Sequence, residues 1–195
     1  PKDKYVLAVK DLGPWKRGQE AEPNNDMDTA TEIRLGEDVQ GYVQRAYDED
    51  HYKLVIDKPG SNLIRVDLEP SSNGRCELKI LDADRKILKD TSNPPMGGPA
   101  DIDSFTVAEG AYFIYVRVYN KDIAKPYVLS TKLIGPWQEG HEAEPNDQKE
   151  RANPIKLGTP VLGHVNESND IDFYALEVPA PGLDILVLSA CSERV

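Results

Sequence analysis

The stretch GPWKRGQEAEPNND at Gly13–Asp26 returns as GPWQEGHEAEPNDQ at Gly135–Gln148. Gly13 recurs as Gly135, Trp15 as Trp137, Glu22 as Glu144, Asn24 as Asn146, Gly41 as Gly163, Asp50 as Asp172 and Tyr52 as Tyr174. The offset is 122 throughout (135 − 13), with no gap. It also holds upstream, where YVLAVKDL at Tyr5–Leu12 matches YVLSTKLI at Tyr127–Ile134. Roughly a third of the aligned positions are identical, far above chance for an ungapped match. A repeat of this length is a whole domain rather than a solenoid turn. The expected organisation is a tandem array: residues 1–12 as the last strand of a preceding repeat, 13–134 as one complete unit, and 135–195 as the first half of another. The chain begins at Pro1 with no Met and no charged-then-apolar leader, so it is expected to be a piece of a longer protein.

Within the complete unit the apolar pattern has the period of strands. Asn62–Leu68 places Ile64, Val66 and Leu68 on one face and Arg65 and Asp67 on the other. Ala111–Tyr119 places Tyr112, Ile114, Val116 and Val118 on one face and Phe113, Tyr115, Arg117 and Tyr119 on the opposite one. Further strands are predicted at Val39–Gln44, His51–Ile56, Cys76–Leu81, Lys86–Lys89, Asp101–Val107 and Pro126–Lys132. The turn sequences KPGSN, PSSNG, DADRK, NPPMGGP and AEG separate them. Only Asp28–Leu35 reads as a helical turn. Strands at this spacing predict an all-β fold, an antiparallel β-sandwich of jelly-roll type.

Composition narrows the function. Lys and Arg total 23 against 34 Asp and Glu, a net charge of −11. Such a surface repels phosphate backbones, and no basic cluster offsets it, so nucleic-acid binding is not expected. No run approaches the roughly 20 apolar residues of a membrane span. Cys76 and Cys191 lack metal-like spacing and leave the redox compartment open. His51, His141 and His164 lie on different segments, without a nucleophile elbow. His51 alternates with Asp50 and Tyr52, is expected to face solvent, and is replaced by Phe173 in the sister unit. The chain is not expected to be an enzyme.

The acidic residues are grouped. Glu20, Glu22 and Asn24 alternate, so in an extended segment they point one way, with Asn25 following. Asp48 and Asp50 come later, at the start of the strand leading to Tyr52. The second unit repeats the set as Glu142, Glu144, Asn146, Asp147, Asp170 and Asp172. Hard-oxygen side chains in two clusters distant in sequence make sense if they meet around a cation, and calcium takes six to eight such ligands. The competing reading makes Glu-Pro-Asn a turn, with Asn24 capping the Asp28–Leu35 segment and the acids solvated.

Together, EAEPNND, the downstream DEDHY, the following PG, and EGAYFIYV resemble the bacterial pre-peptidase C-terminal domain family, which is similar to the collagen-binding modules of clostridial collagenases. The resemblance spans the complete unit and most of the second. It implies a jelly-roll sandwich appended to secreted, periplasmic or cell-surface bacterial proteins, acting as an accessory rather than a catalyst. It also implies calcium as the cofactor. By position the calcium role falls to Glu20, Glu22, Asn24, Asn25, Asp50 and Asp48, and to their counterparts. The complete unit has Asn25 where the second has Asp147, one formal charge fewer, which is expected to weaken its affinity.

The expected function is therefore a non-catalytic spacer or accessory module with a calcium-stabilised inter-domain linker. The alternative is a module that grips collagen or polysaccharide through Phe113, Tyr115, Arg117 and Tyr119, unless that face packs on a neighbouring unit or joins the core. Trp15 and Trp137 are either binding anchors or indoles packed over the unit junction. Half a sandwich leaves strand edges unpaired. So Tyr5–Leu12 of one chain is expected to complete Gly135–Val195 of another in a strand-exchanged dimer, or the half unit is poorly ordered.

Overall fold

A computed structural model of the chain describes residues 7, 9, 13–43, 48–70, 75–91, 98–119, 126–146, 148–163 and 171–178. The strands are β1 (Thr31–Arg34), β2 (Asp38–Gly41), β3 (Glu49–Ile56), β4 (Asn62–Glu69), β5 (Arg75–Leu81), β6 (Ile87–Asp90), β7 (Ala100–Val107), β8 (Gly110–Tyr119), β9 (Tyr127–Pro136), β10 (Asn153–Ile155) and β11 (Tyr174–Leu176). Nine of them form two sheets, one of order β1-β3-β8-β5-β6 and one of order β2-β9-β4-β7.

Alternation explains both sheets. Ile64, Val66 and Leu68 of β4, Leu78 and Ile80 of β5, and Ile114 and Val116 of β8 are each at most 1% exposed and share one core with Phe105 and Leu129. The two inner faces thus enclose a single apolar layer, a β-sandwich. Among the described strands, pairing is antiparallel except at two places. β1 runs parallel to β3 with Thr31 opposite Tyr52, and β10 runs parallel to β11 with Asn153 opposite Tyr174.

Asp28–Leu35 is not a helical turn. A 3-10 turn covers only Met27–Thr29, and the chain then enters β1. Thr31 and Ile33 face inward while Glu32 and Arg34 face out, so the segment has the strand period, and its β-branched residues suit a pleated edge. The cap of the 3-10 turn is Asp26, whose Oδ1 accepts from Asp28 N and Thr29 N. Arg85, in the β5–β6 turn, holds this turn by paired 2.9 Å hydrogen bonds to Asp28.

The two copies of the linker motif share local hydrogen bonds. Glu20 N donates to Gln40 O and Gln40 N to Gly18 O; Glu142 N donates to Leu162 O and Leu162 N to Gly140 O. His51 N donates to Asn24 O, as Phe173 N does to Asn146 O. Ala21 N reaches Thr31 Oγ1, and Ala143 N reaches Asn153 Oδ1. Each linker is therefore stitched to the strand starts of its own unit. Of the Tyr5–Leu12 segment only Leu7 and Val9 lie within the described residues, and both are exposed.

Candidate metal centre

The linker of the complete unit crosses the end of the sandwich where β3 begins. Asp50 opens the inward row of β3, followed by Tyr52, Leu54 and Ile56, and both Asp48 and Asp50 are 2% exposed. One carboxylate oxygen each of Glu22, Asp48 and Asp50 lies within 4.8 Å of the others. The linker acids and the strand acids, distant in sequence, do meet.

Asn24 is fully buried between them. With its amide nitrogen inward it donates to Asp50 Oδ1 at 3.0 Å and Glu22 Oε2 at 3.1 Å. With its oxygen inward, amide and carboxylate oxygens converge with no donor among them, the ligand set of a hard cation. The cap of the following turn is Asp26, so Asn24 is not that cap. Asn25 is half-buried beside it.

Glu20 is directed elsewhere. Its carboxylate accepts from Tyr42 N at 2.6 Å and from Tyr52 Oη at 3.3 Å. Alternation alone places Glu20 with Glu22, but the open amide of Tyr42 draws its side chain toward β2. Burial pushes its pKa up to about 7, partly offset by the Tyr42 amide and reinforced by Glu22. Asp50 is pushed up to about 8, first by burial, while the Tyr127 hydroxyl pulls the other way and Glu20 and Asp48 add to the rise. Among the described residues no lysine or arginine forms a salt bridge with Glu20, Glu22 or Asp50. Glu20, Glu22 and Asp50 therefore gather carboxylates at one end of the sandwich.

Sequence reasoning missed the tyrosines of this site. Tyr127 Oη donates to Asp50 Oδ2 at 2.6 Å and lies 2.5 Å from Tyr52 Oη. A Cβ on Gly41 would meet Tyr127 Cζ at 2.2 Å, so the glycine makes room for this pair. The signal was present in the repeat, which keeps Tyr52 as Tyr174 and pairs Tyr5 with Tyr127.

The second unit gathers Glu142, Glu144 and Asp172 within the same 4.8 Å limit. Asn146 is fully buried, its Nδ2 donates to Glu142 Oε1 at 3.1 Å, and its Oδ1 has no partner. Asp172 Oδ1 is likewise buried and unpartnered. Unused buried acceptors among carboxylates fit a cation and cost free energy without one. Asp147 and Asp170 lie outside the described residues.

Trp15 neither stands as a clean anchor nor packs away. It is 55% exposed, and its indole N–H donates to the carbonyls of Gln19 and Glu20. Trp137 ties His141 O in the same way at 3.1 Å.

Phe113, Tyr115, Arg117 and Tyr119 do share the outer face of central strand β8. Arg117 stands between Glu49 and Glu77, and Tyr115 between His51 and Lys79. Tyr115 meets the His51 ring edge-on at 5.3 Å and carries Lys79 Nζ 5.1 Å over its face. Arg117 stacks at 4.9 Å on Tyr119, whose hydroxyl donates to Glu77 at 2.8 Å. Phe113 is only 9% exposed, and Tyr119 is 42% exposed. Cys76, on the inner face of β5, is a buried free thiol that burial pushes up to about 11; Cys191 lies outside the described residues. Among the described residues no helix is long and apolar enough to cross a membrane.

No protein-family model and no curated protein matches the chain. Among solved structures it is similar to PliG of Aeromonas hydrophila, a periplasmic inhibitor of g-type lysozyme, at 19% identity over 53% of this chain and 96% of that one, TM-score 0.36. It is also similar to a carbohydrate-binding module of Cellvibrio mixtus lichenase 5A, solved with cellotriose, at 19% identity over 54% of this chain and 75% of that one, TM-score 0.26. A further similar structure is the pre-peptidase C-terminal domain of Bacillus anthracis collagenase, at 18% identity over 56% of this chain and 100% of that one, TM-score 0.42, a domain of the family its linker motifs resemble.

Proposed function

We propose that this chain is a non-catalytic accessory module of an exported bacterial protein, built as a tandem array of jelly-roll units whose linkers are fixed by calcium. The observation that carries the reading is the convergence of Glu22, Asp48 and Asp50, repeated as Glu142, Glu144 and Asp172, with a buried asparagine in each group. Strand order supports the jelly roll: β2, β9, β4 and β7 form one sheet, and β3, β8, β5 and β6 form the main part of the other. Glu22, Asn24, Asp48 and Asp50 would hold the first ion, and Glu142, Glu144, Asn146 and Asp172 the second. A bound divalent ion would draw these carboxylates together and tie each linker to its own strand β3 or β11 region. Thermal unfolding in calcium, magnesium and chelator tests this. Calcium at about a hundred times its dissociation constant adds roughly 2.7 kcal/mol of stability. A rise specific to calcium and reduced by Glu22→Gln is expected, and identical melting in all three conditions ends the reading.

A second reading, capture of collagen or polysaccharide, rests on the outer aromatic face. Its support is narrow, since Tyr115 is engaged by His51 and Lys79 and only Tyr119 stands well exposed. Retention on insoluble polymer, lost on Tyr119→Ala, supports it. The exposed Leu157, Leu162 and Ile171 of the second unit support a strand-exchanged dimer completed by Tyr5–Leu12, which a strictly monomeric sedimentation profile contradicts.

A further inference from the structure

The second acidic cluster has something that its repeat-related sequence does not announce. Lys89 stands opposite Ile80 in the β5–β6 pair, and Ile80 belongs to the core, so the lysine leaves edge strand β6 on the inner side of its sheet. Its ammonium is buried and donates to Glu144 Oε1 at 3.1 Å, and Glu144 is itself 5% exposed. The backbone carbonyl of Glu144 accepts from Thr106 N of β7, at the edge of the other sheet. Its second carboxylate oxygen accepts from Asn146 N. One glutamate thus ties the second linker to an edge strand of each sheet of the preceding sandwich.

A buried ammonium needs a partner, and Glu144 supplies one. Two acceptors of the cluster, Asn146 Oδ1 and Asp172 Oδ1, nonetheless have no hydrogen-bond partner. We propose that Lys89 is the built-in counter-ion of the second cluster, and that a divalent cation entering the cluster competes with it for Glu144. The proposal rests on the reading of these clusters as cation sites. Two positive charges drawing on one carboxylate repel each other, most strongly in a buried setting. By reciprocity, whatever factor Lys89 removes from ion affinity, the ion removes from the Lys89–Glu144 contact. The linker then exchanges a clamp to the preceding sandwich for an ion held within its own unit. At the first cluster Glu22 is exposed and has no salt bridge to lysine or arginine among the described residues, so that glutamate has no counterpart of the Lys89 contact.

Calcium titration calorimetry and thermal unfolding on the full chain test this, in a Glu22→Gln background that weakens the first site. Lys89→Met is expected to bind calcium at the second cluster about tenfold more tightly, within the usual span of coupling factors. It is expected to melt lower than the Lys89 form in chelator, with the gap closing in calcium; folding only in calcium is the extreme form of this support. Lys89→Arg, which keeps the charge, is expected to behave as the Lys89 form. Equal or weaker calcium binding by Lys89→Met overturns the competition while leaving the cation sites standing. Absence of calcium binding in every form, including the chain with Glu22 intact, removes the cation reading and this proposal together.

Discussion

Glu22 and Glu144 occupy one position in two copies of the same linker, yet the first is exposed and the second is 5% exposed. Their local hydrogen bonds agree: each carboxylate accepts at 3.0 Å from the backbone of the asparagine two residues on. What differs is the sandwich that the second linker follows, which brings Lys89 and Thr106 against it. Tyr52 and Tyr174 show the converse. The first is fully buried beneath β9, and the second is 37% exposed. The motif encodes its own shape, while its energetic weight comes from what packs on it.

The largest expected effect breaks the docked linker. Glu144→Ala removes a carboxylate that holds the buried Lys89 ammonium and is expected to cost about 3 kcal/mol, against less than about 1 kcal/mol for Glu22→Ala at the exposed copy. Urea unfolding of both variants measures this, and equal costs would erase the distinction between the linkers. Next comes Gly41→Ala, whose Cβ meets the buried Tyr127 ring at 2.2 Å; about 2 kcal/mol is expected from overpacking. Gly163→Ala meets the part-exposed Tyr174 Oη at 2.7 Å and the buried Glu142 Oε2 at 2.9 Å, both side-chain tips rather than a ring, so about 1 kcal/mol is expected.

A separate effect should appear with pH. Glu20 and Asp50 have folded pKa values raised to about 7 and about 8, so the fold favours their neutral forms. The stability they contribute is complete below the ordinary carboxylate range and is lost as pH rises through about 8. In chelator the melting temperature should fall across this window, and calcium should flatten the fall; a rise with pH in chelator contradicts the assignment. Smallest of all, Tyr119→Ala on the outer face should shift stability by no more than about 0.5 kcal/mol. Its effect on polymer retention separates the two functional readings.

Much of the sandwich was legible in the sequence because alternation is a local signal. Ile64, Val66 and Leu68 declare their face without reference to anything distant. The meeting of linker acids with Asp48 and Asp50 was legible through the repeat, which presents the same two groups twice. Asp28–Leu35 was misread because TEIR is short and its strand character depends on parallel pairing with β3. Glu20 departed from its expected place because the Tyr42 amide, a tertiary partner, drew it away. Lys89 carried no signal at all, since a lysine on an edge strand usually faces water.

The indole bonds described above have an optical consequence. The chain has two tryptophans, and each lies in a different linker, closing its own loop through an indole N–H. Intrinsic fluorescence therefore reports on the linkers rather than on the core. A Trp15→Phe chain would glow only from the docked linker and a Trp137→Phe chain only from the exposed one, so the spectrum can be divided between them without attaching a dye.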